Sequence, residues 1–253
     1  MSTRLLATLI PLLVQGGLSA QTSPFTPPQR PDPRTWYLTN GSEWVFSFPV
    51  LDVSRDSVPS GQGGIVRFAP FVNPRVLVHW DAGAHVGFFS GLGIRNLGFI
   101  YDVPGSNERF KYRTYTLGLP VGIKLGRMHN VLVFAGYELE LPLNYKEKRY
   151  VNEKKEDKFN VWFSDRTQPF FQSVMLGVQA PLGFNVSVKY MLTNFHNTAY
   201  REVIDGVERF PYAGLNANLV CLSVNWGMHA GRKRKRGPGP GTVPAHDPQA
   251  WSH

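Results

Sequence analysis

Asn130-Val131-Leu132-Val133-Phe134-Ala135-Gly136-Tyr137-Glu138-Leu139-Glu140-Leu141-Pro142-Leu143-Asn144-Tyr145 is the stretch that decides the fold. Val131, Val133, Ala135, Tyr137, Leu139, Leu141, Leu143 and Tyr145 fill one face of an extended chain. Asn130, Glu138, Glu140 and Asn144 fill the other, with Gly136 and Pro142 between them. Period two marks a strand whose faces meet different surroundings. The preceding segment repeats it, with Tyr115, Leu117, Leu119, Val121, Ile123 and Leu125 against Thr114, Thr116, Gly118, Pro120, Gly122 and Lys124. Val186, Val188, Tyr190 and Leu192 alternate with Ser187, Lys189 and Thr193. Val220, Leu222, Val224 and Trp226 alternate with Cys221, Ser223 and Asn225.

Working outward, such segments are predicted at about 43–51, 63–80, 85–101, 110–125, 130–146, 168–181, 185–196 and 214–228. The gaps between them alternate long and short. The short ones hold Asp81-Ala82-Gly83-Ala84, Gly126-Arg127-Met128-His129 and Leu182-Gly183-Phe184, which suit tight hairpins. Short turns at one end and long loops at the other are the pattern of an outer-membrane barrel. The prediction is an all-β fold, an eight-stranded antiparallel up-and-down transmembrane β-barrel. An even strand count puts both termini in the periplasm.

The choice of lipid-facing side follows from charge. The less apolar face collects Arg67, Arg75, His79, Gly87, Gly91, Gly93, Arg95, Lys124, Glu138, Glu140 and Lys189. A soluble apolar core would not accept so many charges, whereas the lumen of a small barrel is polar and glycines leave it room. Arg67, Arg75, Arg95, Lys124, Glu138, Glu140 and Lys189 are therefore the candidate lumenal charge network. Within it an ion pair is expected between Arg95 and Glu138, with Glu140 beside it. Trp44, Trp80 and Trp226 near the inner strand ends, and Tyr101, Tyr112 and Tyr145 near the outer ends, are the candidate interface aromatics.

Composition agrees. The 253 residues include 25 Gly and 20 Pro, with 13% aromatic residues, a balance that favours strands and turns over helices. No apolar run reaches the length of a membrane-spanning helix. Residues 1–20 read as a signal peptide: Arg4, the apolar stretch Leu5–Val14, and small residues before a cut after Ala20. Residues 21–42 read as a proline-rich periplasmic leader, 43–228 as the barrel, and 229–253 as a basic, Pro/Gly-rich disordered tail. The net charge of +9 owes five units to Arg232-Lys233-Arg234-Lys235-Arg236. Basicity thus belongs to the tail, and nucleic acid is not an expected partner. The single Cys221 excludes an internal disulfide framework and reads as a small lumenal filler.

No catalytic, cofactor or metal site emerges. Gly91-Leu92-Gly93 sits inside a period-two strand, with neither the third glycine nor the helix of a nucleotide fingerprint. The seven histidines lack ligand spacing. Glu138 and Glu140 share a strand face, not a water-filled cleft, so no enzyme is predicted.

Arg67-Phe68-Ala69-Pro70-Phe71, His85 through Asn96 and Arg113 through Gly126 give the chain its resemblance, over about 43–228, to small outer-membrane barrels of Gram-negative bacteria. It resembles the OmpA/OmpX-like architecture and, more closely, the PorT-like outer membrane β-barrel proteins of Bacteroidota. The resemblance implies residence in the cell outer membrane and assembly by the barrel-assembly machinery. That machinery often reads a terminal aromatic, and here Trp226 stands 27 residues before the end. It further implies a structural, adhesion or secretion-support role exerted through extracellular loops and periplasmic ends. Outer-membrane lipid, lipopolysaccharide and an envelope protein are the expected partners. The alternative is a narrow gated pore or small-molecule binder using the charged lumen.

Overall fold

The computed structural model describes residues 35–53, 64–71, 73–128, 130–204, 206–226 and 228–229. The expected signal peptide, most of the leader and the basic tail lie outside these. The strands are β1 (Thr35–Val53), β2 (Gly64–Ile65), β3 (Arg67–Ala69), β4 (Pro74–Asp81), β5 (Val86–Asp102), β6 (Glu108–Gly126) and β7 (Leu132–Val151). They continue as β8 (Lys154–Trp162), β9 (Phe171–Gln179), β10 (Phe184–Met191), β11 (Glu202–Ile204), β12 (Val207–Arg209), β13 (Leu215–Trp226) and β14 (Met228–His229). One 3₁₀ turn, Pro181–Gly183, joins β9 to β10.

The sheet closes on itself. Antiparallel neighbours run β1, β4, β5, β6, β7, β9, β10 and β13, and β13 pairs again with β1, a ring of 8 strands. The register shows how. Trp36 lies opposite Trp80, then Phe88, Ile123, Ala135, Leu176, Val188 and Leu222, and the path returns to β1 at Phe46. The return falls ten residues further along the same strand. With a rise of about 3.3 Å and a strand spacing of about 4.8 Å, that stagger tilts the strands by about 40° and sets a backbone radius of about 8 Å.

Alternation then sorts every side chain. Outward go Trp36, Leu38, Trp44, Val76, Val78, Phe88, Leu92, Ile94, Leu117, Leu119, Val121, Val133, Tyr137, Leu139, Val174, Leu176, Val188 and Leu192, all exposed. They form an apolar girdle roughly 25 Å tall along the axis, from Trp36 and Leu125 at the short-turn end to Leu117 and Leu192. Among the described residues no charged side chain stands on that outer face. Ser90, one of its few polar members, donates back to the Pro120 carbonyl at 2.9 Å.

Several boundaries differ from those expected. β1 begins at Thr35, eight residues before Glu43, because residues 35–42 pair with β4. Trp44 is consequently mid-strand. Trp36 lies at the short-turn edge, stacked on Trp80 at 5.7 Å. The expected loop after residue 146 is largely strand, since β7 runs to Val151 and β8 folds back on it through Asn152 and Glu153. Both take positive φ, 49° and 63°, as a two-residue hairpin turn of this hand requires. The expected second strand breaks into β2, β3 and β4, with β3 ending at Ala69 and β4 beginning at Pro74.

Candidate functional site: the lumen and its outer mouth

The inward-facing residues form layers. At the short-turn end Lys124 donates to Asp81 at 2.5 Å and to the Tyr37 hydroxyl at 2.8 Å. Thr39 and His79 are joined at 2.8 Å. Above them Leu77, Phe89, Leu132 and Phe134 make an apolar plug. Gly122, Gly136 and Gly177 lie against the Phe89 and Phe134 rings, where a Cβ would collide.

The charge layer comes next. Glu43 accepts from Arg75 at 2.5 Å and from Arg95 at 2.7 Å. Arg95 also donates to Glu138 and lies 3.6 Å from Glu140. Lys189 donates to Glu140 at 2.8 Å and to Glu138 at 3.3 Å. Thr116 and Ser173 donate to Glu140, and Arg75 donates to Asn225. Three carboxylates and three cations from five strands cancel inside a wall that excludes water. Thr116, Ser173 and Asn225 add hydrogen bonds to the ion pairs, which buried ion pairs need to persist.

The register explains the cluster. Arg95 lies opposite Thr116, as sequence spacing suggests, whereas Glu138 lies opposite Pro120. The length of the Arg95 side chain spans that offset, and Gly118 between them leaves the space, since a Cβ there would overlap the Glu138 carboxylate. Of the candidate network, Arg75, Arg95, Glu138, Glu140 and Lys189 come together. Lys124 belongs to the separate layer below. Arg67 stands apart, donating to the Asn96 side chain at 2.6 Å. Glu43 is the central acid that the sequence reading missed. It shares the inward parity of Val45 and Ser47, but a strand placed to begin at residue 43 hides that.

Above the charges lies an aromatic plug of Phe99, Tyr112, Tyr145, Phe171, Phe195 and Tyr212. Here the predicted outer girdle is corrected. Tyr101, Tyr112 and Tyr145 are only 8%, 4% and 1% exposed and point into the lumen. For Tyr145 the cause is a bulge. Tyr115 pairs with Asn144 but Thr116 with Pro142, so Leu143 is an extra residue that reverses which side β7 turns inward. Tyr101 and Tyr112 follow the inward parity of Arg95 and Thr116.

His196 sits at the centre of this plug, fully buried, stacked 4.4 Å from the Tyr212 ring and edge-on to Tyr112 at 4.5 Å. Tyr145 and Tyr212 both donate to Glu147, at 2.8 and 2.7 Å. The Tyr145 oxygen therefore accepts from His196 Nε2 at 3.3 Å, and Nδ1 has no partner among the described residues. Burial holds the imidazole down to about 3, so it stays neutral. The sign follows. An opened plug takes up the proton below the free value of 6.5 and the closed plug does not, so closure weakens as pH falls from 6.5 toward 3. Amide exchange at Phe195 and Asn197, corrected for intrinsic rate, is expected to rise roughly thirtyfold between pH 7 and pH 5. His196→Phe should remove that dependence. Equal protection at both pH values would contradict a neutral buried ring.

The space beside Arg75, Arg95 and Phe89 is about 30 Å³, room for about one water. Larger cavities open at the long-loop end. One of about 840 Å³ is walled by Tyr101, Phe110, Tyr212, Glu147 and Arg209. Another of about 520 Å³ lies beside the Asp102–Arg109 pair. Among the described residues no group of three or more His, Cys, Asp or Glu side chains is placed to hold a metal ion.

No family model matches the sequence, and no curated protein matches it. Among solved structures it is similar to the crystal structure of Ail, the attachment invasion locus protein of Yersinia pestis. Identity is 10%, with 75% of this chain and 98% of that chain covered, at a TM-score of 0.30. A second structure, Ail in complex with the heparin analogue sucrose octasulfate, gives 8% identity, 75% and 99% coverage and a TM-score of 0.33. At these scores neither adds to the closure already read from the strand registers.

Proposed function

We propose that this chain is an integral outer-membrane barrel that works through its outer end, as a structural, adhesion or secretion-support component of the envelope. One observation carries the reading: a closed barrel wears a largely apolar, uncharged girdle outside and gathers charges inside it. Water would penalise that outer face, and lipid requires it, because every wall strand has a partner on both sides only when the ring is shut. The stacked plugs argue against a pore, while the cavities and the β7–β8 hairpin concentrate recognisable chemistry at the outer mouth. The short-turn end and both termini face the periplasm in this reading.

Cell fractionation combined with heat-modifiable gel mobility tests it. The protein should appear in the outer-membrane fraction, require detergent, and shift between unboiled and boiled samples. Planar-bilayer recordings should show no unitary conductance. Recovery as a soluble periplasmic protein without a mobility shift would overturn the reading.

A further inference from the structure

Beyond the Leu143 bulge, β6, β7 and β8 form a ribbon that rises past the girdle. Its inward side carries Tyr112, Tyr145, Glu147 and Phe159. Its outward side carries cations set directly opposite one another. Arg113 pairs with Lys146, Lys111 with Lys148, and Lys148 with Lys158. Like charges directly opposite on an antiparallel pair destabilise it. The acids of these strands are engaged elsewhere: Glu147 and Asp157 project to the other face, Glu108 is taken by Arg149 at 2.5 Å, and Glu156, the extra residue where the β7–β8 register shifts, also acts on Arg149. Burial and then Arg113, Lys158, Lys148 and Lys155 all push the Lys146 ammonium down, and no carboxylate appears among its main influences.

Three further features make this more than a solvated charged strand. Arg113 Nε is buried and has no acceptor among the described residues. The Arg113 guanidinium lies 5.1 Å from the Tyr115 ring, and the Lys111 ammonium 4.7 Å from the Tyr150 ring, so both cations are held against the ribbon surface. The cluster also begins just above the outward pair Leu117 and Leu141, with Tyr115 between, the level at which a bilayer changes from acyl chain to headgroup in the membrane reading.

We propose that Arg113, Lys146, Lys148 and Lys158, flanked by Lys111, bind the phosphate groups of a phosphorylated glycolipid in the outer leaflet. The assignment rests on the membrane reading above. A lipid is favoured over a soluble polyanion because the site shares its lower edge with the girdle, so one molecule places acyl chains on Leu117 and Leu141 and phosphate among the cations. Several phosphates would also remove the cross-strand repulsion, which no single protein group does.

The full chain, inserted in phosphatidylcholine vesicles with or without lipid A, provides the test, with an R113Q/K146Q/K148Q/K158Q variant beside it. That variant sheds repulsion, so it should fold and show the same heat-modifiable mobility in plain phosphatidylcholine. Lipid A binding should weaken by about fivefold for each cation removed, and more at low salt. Dephosphorylated lipid A should bind the unaltered chain no better than it binds the variant. Equal lipid A binding by both proteins, or binding of soluble heparin with no preference for lipid A, would overturn the proposal and leave the barrel reading intact. Failure of the unaltered chain to insert into plain phosphatidylcholine would overturn both.

Discussion

Glu138→Ala is expected to destabilise the barrel by about 3–5 kcal/mol, the range for removing one partner of a buried ion pair. Glu138 is fully buried and serves two cations, Arg95 and Lys189. Without it the layer has three cations and two carboxylates, with an unbalanced positive charge that water cannot reach. Glu138→Gln keeps volume and one acceptor but not the charge, so it should cost less than alanine and clearly more than nothing. The decisive comparison is the double variant R95M/E138L. It leaves Glu43 with Arg75 and Glu140 with Lys189, two neutral pairs already at 2.5 and 2.8 Å. Its loss of stability should therefore lie well below the sum of the R95M and E138L losses. Urea unfolding from vesicles, followed by tryptophan fluorescence, measures the unaltered chain, the single variants E138A, E138Q, R95M and E138L, and the double variant. Strict additivity would mean that Arg95 and Glu138 do not act as a pair.

Much of this layer was legible because alternation in a strand is a two-state variable. Once Leu139 and Leu141 are assigned outward, Glu138 and Glu140 must point inward, and their charge demands partners. The same logic reached Arg75, Arg95 and Lys189. It stopped where the period was interrupted. Glu43 lay hidden because residues 35–42, rich in small and polar side chains, resemble a continuation of the leader, and only pairing with β4 makes them strand. Tyr145 was placed on the wrong side because one extra residue, Leu143, reverses the face, and a bulge leaves no mark in composition. His196 closed the segment expected at 185–196, past the alternation that ends at Leu192 and Thr193. Its burial follows from chain segments far apart in sequence, which no local pattern records.

Asn73→Leu is the second large expected loss, again about 3–5 kcal/mol, from a residue that shows no charge and follows no alternating pattern. The second wall strand is interrupted between Ala69 and Pro74, and Pro74 has no N–H to give. An interruption in a wall that faces lipid leaves backbone groups with nothing to bind, at several kcal/mol each. Asn73 closes the gap from inside the wall. Its amide donates to the Glu43 carbonyl at 2.9 Å and to the Ala69 carbonyl at 2.8 Å. Its side-chain oxygen accepts from the Asn96 N–H at 2.8 Å, and its own carbonyl accepts from the Glu43 N–H at 3.0 Å. One side chain thus joins β1, β3 and β5 across the break. Leucine has similar volume and supplies none of these three side-chain bonds. Asn73→Asp separates the contributions: it retains the acceptor for Asn96 but sets a carboxylate against two carbonyl oxygens, so it should be no better tolerated than leucine. The loss should be local as well as global, because Glu43 is anchored by the same residue. Faster amide exchange at Glu43 and Asn96 in Asn73→Leu, with β9 and β10 unaffected, is the expected signature. Unchanged urea midpoints for both substitutions would mean that the wall closes around its break by some other route.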